Sequence, residues 1–365
     1  MKIECVKDRL AAVISKAEKI TGKNLTLPVL ACILLEASKN SLYIHATNLD
    51  LGIEVEIPAK VTKEGKIAVP GMVLNNFLSN VGNEKNITLE VVENNLHVST
   101  EKSSTKIKSL NFDDFPTIPR IQGEKKFLIN SKDFIKGLKS VWYSSSVSSM
   151  KPELSSVYVY PEDGSLIFVA TDSFRLAEKK ISLKKQYEFG NILIPFRNVQ
   201  EIIRIVEENM GETEICMGKN QISFEFDGIY LTSRIVDGSF PDYRQIIPKE
   251  FATEAVLLKQ DLISALKLAN IFSDKFNKIS IKVVPKDKFE VATKNADIGE
   301  TRNTIDATVT GEGIESSFNF KYINDCLGYI DRDSVTFFFN GSNKPLVVRG
   351  VGDQSFTYLV MPMNK

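Results

Sequence analysis

At 365 residues, with 43% apolar and 25% charged side chains, the chain has the composition of a soluble globular protein and the length for two or three domains. Its 46 basic residues cancel its 46 acidic ones, which excludes a generic polyanion binder: any nucleic-acid contact has to come from charge sorted onto one face. The opening MKIECVKDRL has no apolar signal core, and no run approaches the roughly 18 apolar residues of a membrane helix, so a cytoplasmic protein is expected.

The first predicted element is the helix DRLAAVISKAEKI, which puts Leu10, Val13, Ile14 and Ala17 on one face. Alternating strand patterns follow, such as SLYIHAT and NITLEVVENNLHVST, with a short strand entering a second amphipathic helix, KIAVPGMVLNNFLSNV, between them. The same order then returns. A helix KDFIKGLKSVWYS carries Phe134, Ile135, Leu138, Val141 and Trp142, the strand-to-helix segment is NILIPFRNVQEIIRIV, and the strands include QISFEFDGIYLTSRIV. It returns once more with QDLISALKLANIF (Leu262, Ile263, Leu266, Ala269), SSFNFKYINDCLGYI and SVTFFF. Glu64-Gly65, Asp163-Gly164 and Asp227-Gly228 mark turns between strands.

Short echoes fix the period. Ala46-Thr47, Ala170-Thr171 and Ala292-Thr293 recur at offsets of 124 and 122 residues, and Pro116, Pro241 and Pro362 at 125 and 121. A period of that length is a domain, not a solenoid repeat. The fold class expected is therefore α+β, in three repeated domains each with two helices and antiparallel sheets, at residues 1–121, 122–249 and 250–365.

Chemistry-bearing motifs are missing. There is no GxGxxG opening a helix, no GxxxxGK[ST], HExxH or GxSxG. Cys5, Cys32, Cys216 and Cys326 are far apart and form no CxxC pair, so they read as reduced, buried thiols. His45 and His97, the only histidines, lie inside strand-like runs. No catalytic residue, metal or cofactor is expected. The readings that compete are an enzyme built on Asp172 and Arg175 and a monomeric DNA-binding or scaffold protein.

The helices are more informative. Arg9, Lys16, Lys19 and the following Lys23 lie away from the apolar face of the first helix. Lys132, Lys136 and Lys139 repeat this in the second unit, Arg197 and Arg204 stand seven apart on its other helix, and Lys267 marks the third. Acids interrupt these faces at Asp8, Glu18, Asp133 and Glu201. Basic faces on equivalent helices point to a shared surface that meets phosphates without reading bases.

Five segments in order, TLPVLACILLEA (26–37), ATNLDLGIEVEIPA (46–59), ATDSFRLA (170–177), FPDYRQIIP (240–248) and the terminal MPM (361–363), make the chain resemble the bacterial DNA polymerase III beta subunit family, the sliding clamps, over its full length. That resemblance implies a head-to-tail homodimer, a closed six-domain ring with helices lining the hole. Such a ring encircles double-stranded DNA without sequence specificity and catalyses nothing. The implied partners are the polymerase III alpha subunit, the clamp loader, and other polymerases and repair proteins, each docking through a short linear peptide. The peptide pocket would be walled by Leu154, Thr171, Ser173, Phe174, Arg175, Leu176, Pro241, Ile246, Pro345, Leu359 and Met361. The dimer seam would join Ile107 of one chain to Ile271 and Phe272 of the other. The family commonly has Gly-His where this chain has Ser173-Phe174, which implies a bulkier pocket rim here.

Overall fold

The structure, a computed structural model, describes residues 1–22, 26–82, 84–121, 125–185, 187, 189–284 and 288–363. Six α-helices lie among them: α1 (Lys7–Ile20), α2 (Gly71–Asn80), α3 (Ser131–Val141), α4 (Phe196–Val206), α5 (Lys259–Ile271) and α6 (Phe320–Leu327). They fall two to each repeat, and each follows directly on a strand. Pro70 and Pro195 end the strands that lead into α2 and α4. Both strands are at sheet edges, where a missing N–H removes no ladder bond. The helix α6 has Asn319 as its cap, the side chain accepting from the Lys321 amide at 2.9 Å. Two of the turns expected from sequence have positive φ at both central residues, Asp163 (48°) with Gly164 (71°) and Asp227 (46°) with Gly228 (74°). This backbone twist suits a tight antiparallel hairpin.

Two compact units emerge. The first comprises residues 1–132 and 197–235. It holds a five-stranded sheet and an eight-stranded one, the latter ordered Lys125–Asn130, Glu212–Met217, Gln221–Phe226, Ile229–Arg234, Leu51–Pro58, Ser41–Thr47, Cys32–Ser38, Gly65–Pro70. Helix α1 packs on the strands Ser41–Thr47 and Leu51–Pro58 and on α2, burying Leu10, Val13, Ile14 and Ala17 as their spacing requires. The second unit, residues 133–196 and 236–365, is built on a twelve-stranded sheet, and α5 packs on its strands Lys288–Asn295 and Gly299–Gly311 and on α6.

The eight- and twelve-stranded sheets each run from one repeat into the next. In the first unit Leu51–Pro58 pairs with Ile229–Arg234, from Leu51 opposite Ser233 to Val55 opposite Ile229. In the second, Arg175–Ser182 pairs with Phe356–Val360, from Arg175 opposite Val360 to Lys179 opposite Phe356. An edge strand's free N–H and C=O groups are satisfied by the neighbouring repeat, which is why the compact units cut through the middle repeat.

The third sequence echo differs from the other two. Ala46 and Ala170 fall in phase with the buried residues Leu42 and Ile44, and Leu166 and Phe168. In Lys288–Asn295 the buried phase is Phe289, Val291 and Thr293, and Ala292 is on the other face. The third Ala-Thr pair is one residue out of register, which in a strand exchanges the two faces.

Helix α3 lies unusually close to its sheet. A Cβ on Gly137 would come within 2.3, 2.5 and 2.6 Å of three carbons of the Phe168 ring. Phe168 is fully buried and meets Phe134 edge-on with 5.6 Å between centroids, so it has nowhere to go. We expect Gly137→Ala to lower unfolding stability by about 2 kcal/mol in urea denaturation, the overpacking outweighing the roughly 1 kcal/mol of helix propensity gained.

Candidate functional site

The segment VATDSFRLAEKK turns at Asp172–Phe174. Asp172 Oδ1 accepts the amides of Phe174 and Arg175, both at 2.9 Å, and the Thr171 hydroxyl donates to the Arg175 carbonyl at 2.7 Å. The first repeat has the same turn: Asn48 Oδ1 accepts the amides of Asp50 and Leu51, and Thr47 donates to the Leu51 carbonyl. Leu49 and Ser173 hold equivalent left-handed positions, φ 78° and 75°. A carboxylate spent on closing a turn is a structural group, and the amide of Asn48 doing the same job shows that no acid chemistry is needed there. In the third repeat the Thr293 hydroxyl goes instead to the carbonyls of Phe272 and Lys278.

Arg175 is 12% exposed and fully engaged. Its Nε donates to Asp172 Oδ2 at 3.0 Å, Nη1 to Asp325 Oδ2 at 2.6 Å and Nη2 to the Tyr143 carbonyl at 2.6 Å, and the guanidinium lies 4.5 Å from the Tyr322 ring centre. Burial works against its charge, but Tyr358 and the Asp325 and Asp172 groups outweigh this and raise its pKa above the ordinary arginine value. Arg175 thus faces two carboxylates and binds α6 to the sheet.

Around it the expected pocket residues divide into floor and rim. Thr171, Leu176 and Leu359 are buried and lie in one row across neighbouring strands, Thr171 opposite Leu176 and Leu176 opposite Leu359. Val347 extends the row, opposite Leu359. Leu154 is buried too. Phe174 (62% exposed), Pro241, Ile246 and Met361 remain open to solvent, Pro345 is half-buried, and Ser173 is exposed at the turn. The Met361 amide donates to the Phe174 carbonyl at 2.8 Å, which seats the chain's terminal segment beside the turn. Leu176, Leu359 and Val347 are thus packed core, and Phe174, Ile246 and Met361 form an exposed, adaptable apolar edge. Phe240 and Tyr243 belong to the same packed cluster; they stand inside the FPDYR motif, so the sequence held a signal for them. Asp325, 150 residues from Arg175, left none.

The basic residues are distributed less uniformly than helical spacing implies. Arg9, Lys19, Lys132, Arg197 and Lys267 are exposed. Lys16 is half-buried and pairs with Glu208 at 2.8 Å, Lys136 pairs with Asp331 at 2.5 Å, and Arg204 with Glu201 at 2.7 Å. Lys139 is half-buried. Lys23 lies outside the described residues. In the first unit Glu36, Glu54, Glu56, Glu214 and Glu225 alternate with buried apolar residues and so occupy the sheet face turned away from α1, where Lys66, Arg120 and Lys126 pair with three of them. Glu54 is held down to about 2 by hydrogen bonds to His45 and Arg120.

Of the expected seam residues, Ile271 is 63% exposed and Phe272 half-buried, and Leu268, Phe276 and Ile298 are also exposed. Ile107 is buried within its own sheet, opposite Leu96. Its strand, Ser104–Lys108, has a neighbour only on the Asn95–Ser99 side.

Sequence models of the N-terminal, central and C-terminal domains of the DNA polymerase III beta subunit match residues 1–119, 128–242 and 244–364. The chain belongs to the DNA polymerase III beta subunit family. Curated beta sliding clamps resemble it end to end: that of Synechocystis sp. is 29% identical over 388 residues, covering 100% of this chain and 99% of the relative. That of Buchnera aphidicola is 27% identical over 371 residues, covering both chains fully. Among solved structures, the Bacillus subtilis DNA polymerase sliding clamp superposes with a TM-score of 0.94 at 24% identity over 100% of this chain and 99% of its own. A Pseudomonas aeruginosa sliding clamp bound to griselimycin does so with 0.94 at 24% identity over 100% of both. As a beta subunit the chain is α+β in three repeated domains, which is the architecture read from its triplication.

Proposed function

We infer that this chain is a DNA sliding clamp of replication, a processivity factor with no catalysis of its own, working in the cytoplasm as a head-to-tail homodimer. The observation that carries the ring is a pattern of strand edges. Twice within the chain an inner strand of one repeat pairs with the last strand of the next: Leu51–Pro58 with Ile229–Arg234, and Arg175–Ser182 with Phe356–Val360. Among the described residues two edges of the same kind are left over. Residues 299–306 of the third repeat have a neighbour only on the Lys288–Asn295 side, and Ser104–Lys108, the last strand of the first repeat, only on the Asn95–Ser99 side. Joining these two edges between copies repeats the junction already used twice. If the junction closes with two chains, six domains (1–121, 122–249 and 250–365, twice) form a ring in which every edge of this kind is paired.

Duplex DNA is the partner of the helix surfaces. Arg9, Lys19, Lys132, Arg197 and Lys267 meet its phosphates diffusely, together with Lys139, and carry no base readout, so the ring is free to translate. Lys16, Lys136 and Arg204 contribute less because each is neutralised by an acid. The pocket floored by Thr171, Leu176 and Leu359 takes a short linear peptide of the polymerase III alpha subunit, the clamp loader and other polymerases or repair enzymes. Tethering raises the local concentration of whatever is docked there.

The test is topological. Protein loaded on nicked circular DNA should elute with it in raised salt, where phosphate contacts weaken, and should be lost when a single cut linearises the circle. Equal retention on open-ended linear DNA would sink enclosure and favour an ordinary DNA-binding protein.

A further inference from the structure

The segment 240–248 carries Pro241 and Ile246, two of the residues assigned above to the pocket edge, and it is held to the sheet by a chain of polar contacts that the pocket itself does not use. Tyr243 is buried and donates its hydroxyl proton to Glu178 Oε2, a carboxylate also buried on the strand Arg175–Ser182. The Tyr160 hydroxyl lies 2.7 Å from that of Tyr243. Since Tyr243 has one proton and spends it on Glu178, Tyr160 is the donor to Tyr243. Arg244 then donates to the Tyr160 oxygen at 2.8 Å and pairs with Glu162. The relay runs Arg244 to Tyr160 to Tyr243 to Glu178 and ends on a buried carboxylate. Burial, and then the bond to Glu178, push the Tyr243 hydroxyl's pKa upward, so it remains a donor across the physiological range.

Packing fixes only one side of this segment, where Phe240 and Tyr243 join the core cluster. Phe240 stacks on Tyr158 with 4.8 Å between ring centres, but a cavity of about 570 Å³ adjoins Arg244, Ile247 and Pro248, also lined by Glu178, Lys180 and Arg349. On that side there is space instead of side chains, and the polar relay has to do the holding. The sequence makes the arrangement conspicuous in another way: Glu178 sits two residues after Leu176 on the same face of the strand, where the pattern of apolar floor residues would continue.

We propose that Tyr243 is a positioning residue for the peptide pocket, its hydroxyl fixing the segment that carries Pro241 and Ile246 through the relay from Arg244 to Glu178. The inference rests on the pocket reading given above. Tyr243→Phe should weaken binding of a fluorescein-labelled decapeptide with a Leu-Phe anchor by about tenfold in fluorescence anisotropy. Amide exchange of residues 240–248 should quicken, while subunit mass and retention on circular DNA are unchanged. Glu178→Gln keeps an acceptor for Tyr243 and should stay within about threefold of the parent protein, a rescue that a simple loss of core packing does not produce. Tyr160→Phe, which removes only the second link, should fall between them. Parent-like affinity and exchange in a folded Tyr243→Phe protein would overturn the proposal. A parent protein that does not bind the decapeptide at all would instead overturn the pocket reading on which it rests.

Discussion

Arg175→Ala should lower the unfolding free energy by about 3 kcal/mol, the largest loss expected from any single polar side chain of the second unit. Three acceptors lose their donor at once: the carboxylates of Asp172 and Asp325 and the carbonyl of Tyr143. Asp172 is mostly shielded from water, its side chain 15% exposed, so its charge cannot be resolvated cheaply. The guanidinium also stacks over Tyr322, a contact that vanishes with it. Arg175→Lys should recover only part of the loss, because one ammonium cannot reach three acceptors set in different directions. The chain's single tryptophan, Trp142, is next to Tyr143, so urea unfolding followed by its fluorescence reports on this junction directly. Lys267→Ala, an exposed basic residue on α5, provides the contrast and should stay within about 0.5 kcal/mol of the parent. A parent-like midpoint for Arg175→Ala would return Arg175 to the role of a peptide contact.

Ile271→Asp should turn the dimer into monomers at micromolar concentration. Ile271 ends α5 with most of its side chain in water, and Leu268, one turn earlier, and Phe276 and Ile298 are exposed as well. An apolar group of this size is costly to leave open unless another chain covers it. In a head-to-tail dimer the two seams are identical, so a single substitution is felt twice. Burying an unpaired carboxylate costs about 2 kcal/mol or more at each seam, which for two seams amounts to about a thousandfold in the dimer constant. Sedimentation velocity would read the change in mass, and retention on circular DNA should fall with it. Ile271→Leu preserves the apolar contact and should behave as the parent. An unchanged mass for Ile271→Asp would place the seam elsewhere.

These two residues also divide what sequence alone could reach. Triplication, the six helices and the faces they bury follow from local rules: apolar spacing, a strand running straight into a helix, and Asp-Gly turns with positive φ. Motif order was enough to point to the family and to single out Ile271, which is exposed. What sequence could not settle depended on register or on partners far along the chain. The third Ala-Thr echo looks like the others as letters, yet a one-residue shift turns Ala292 to the opposite face. Ile107 has the same apolar character as Ile271, but strand alternation buries it in its own sheet. Arg175 reads as a cleft residue until Asp325, 150 positions later, is brought against it, and Lys16 and Lys136 read as open cations until Glu208 and Asp331 reach them. Periodicity is a property of neighbours within a few residues and is written in the chain. Which distant group lies 3 Å away is decided only when sheets close and helices dock, because that distance depends on every turn in between.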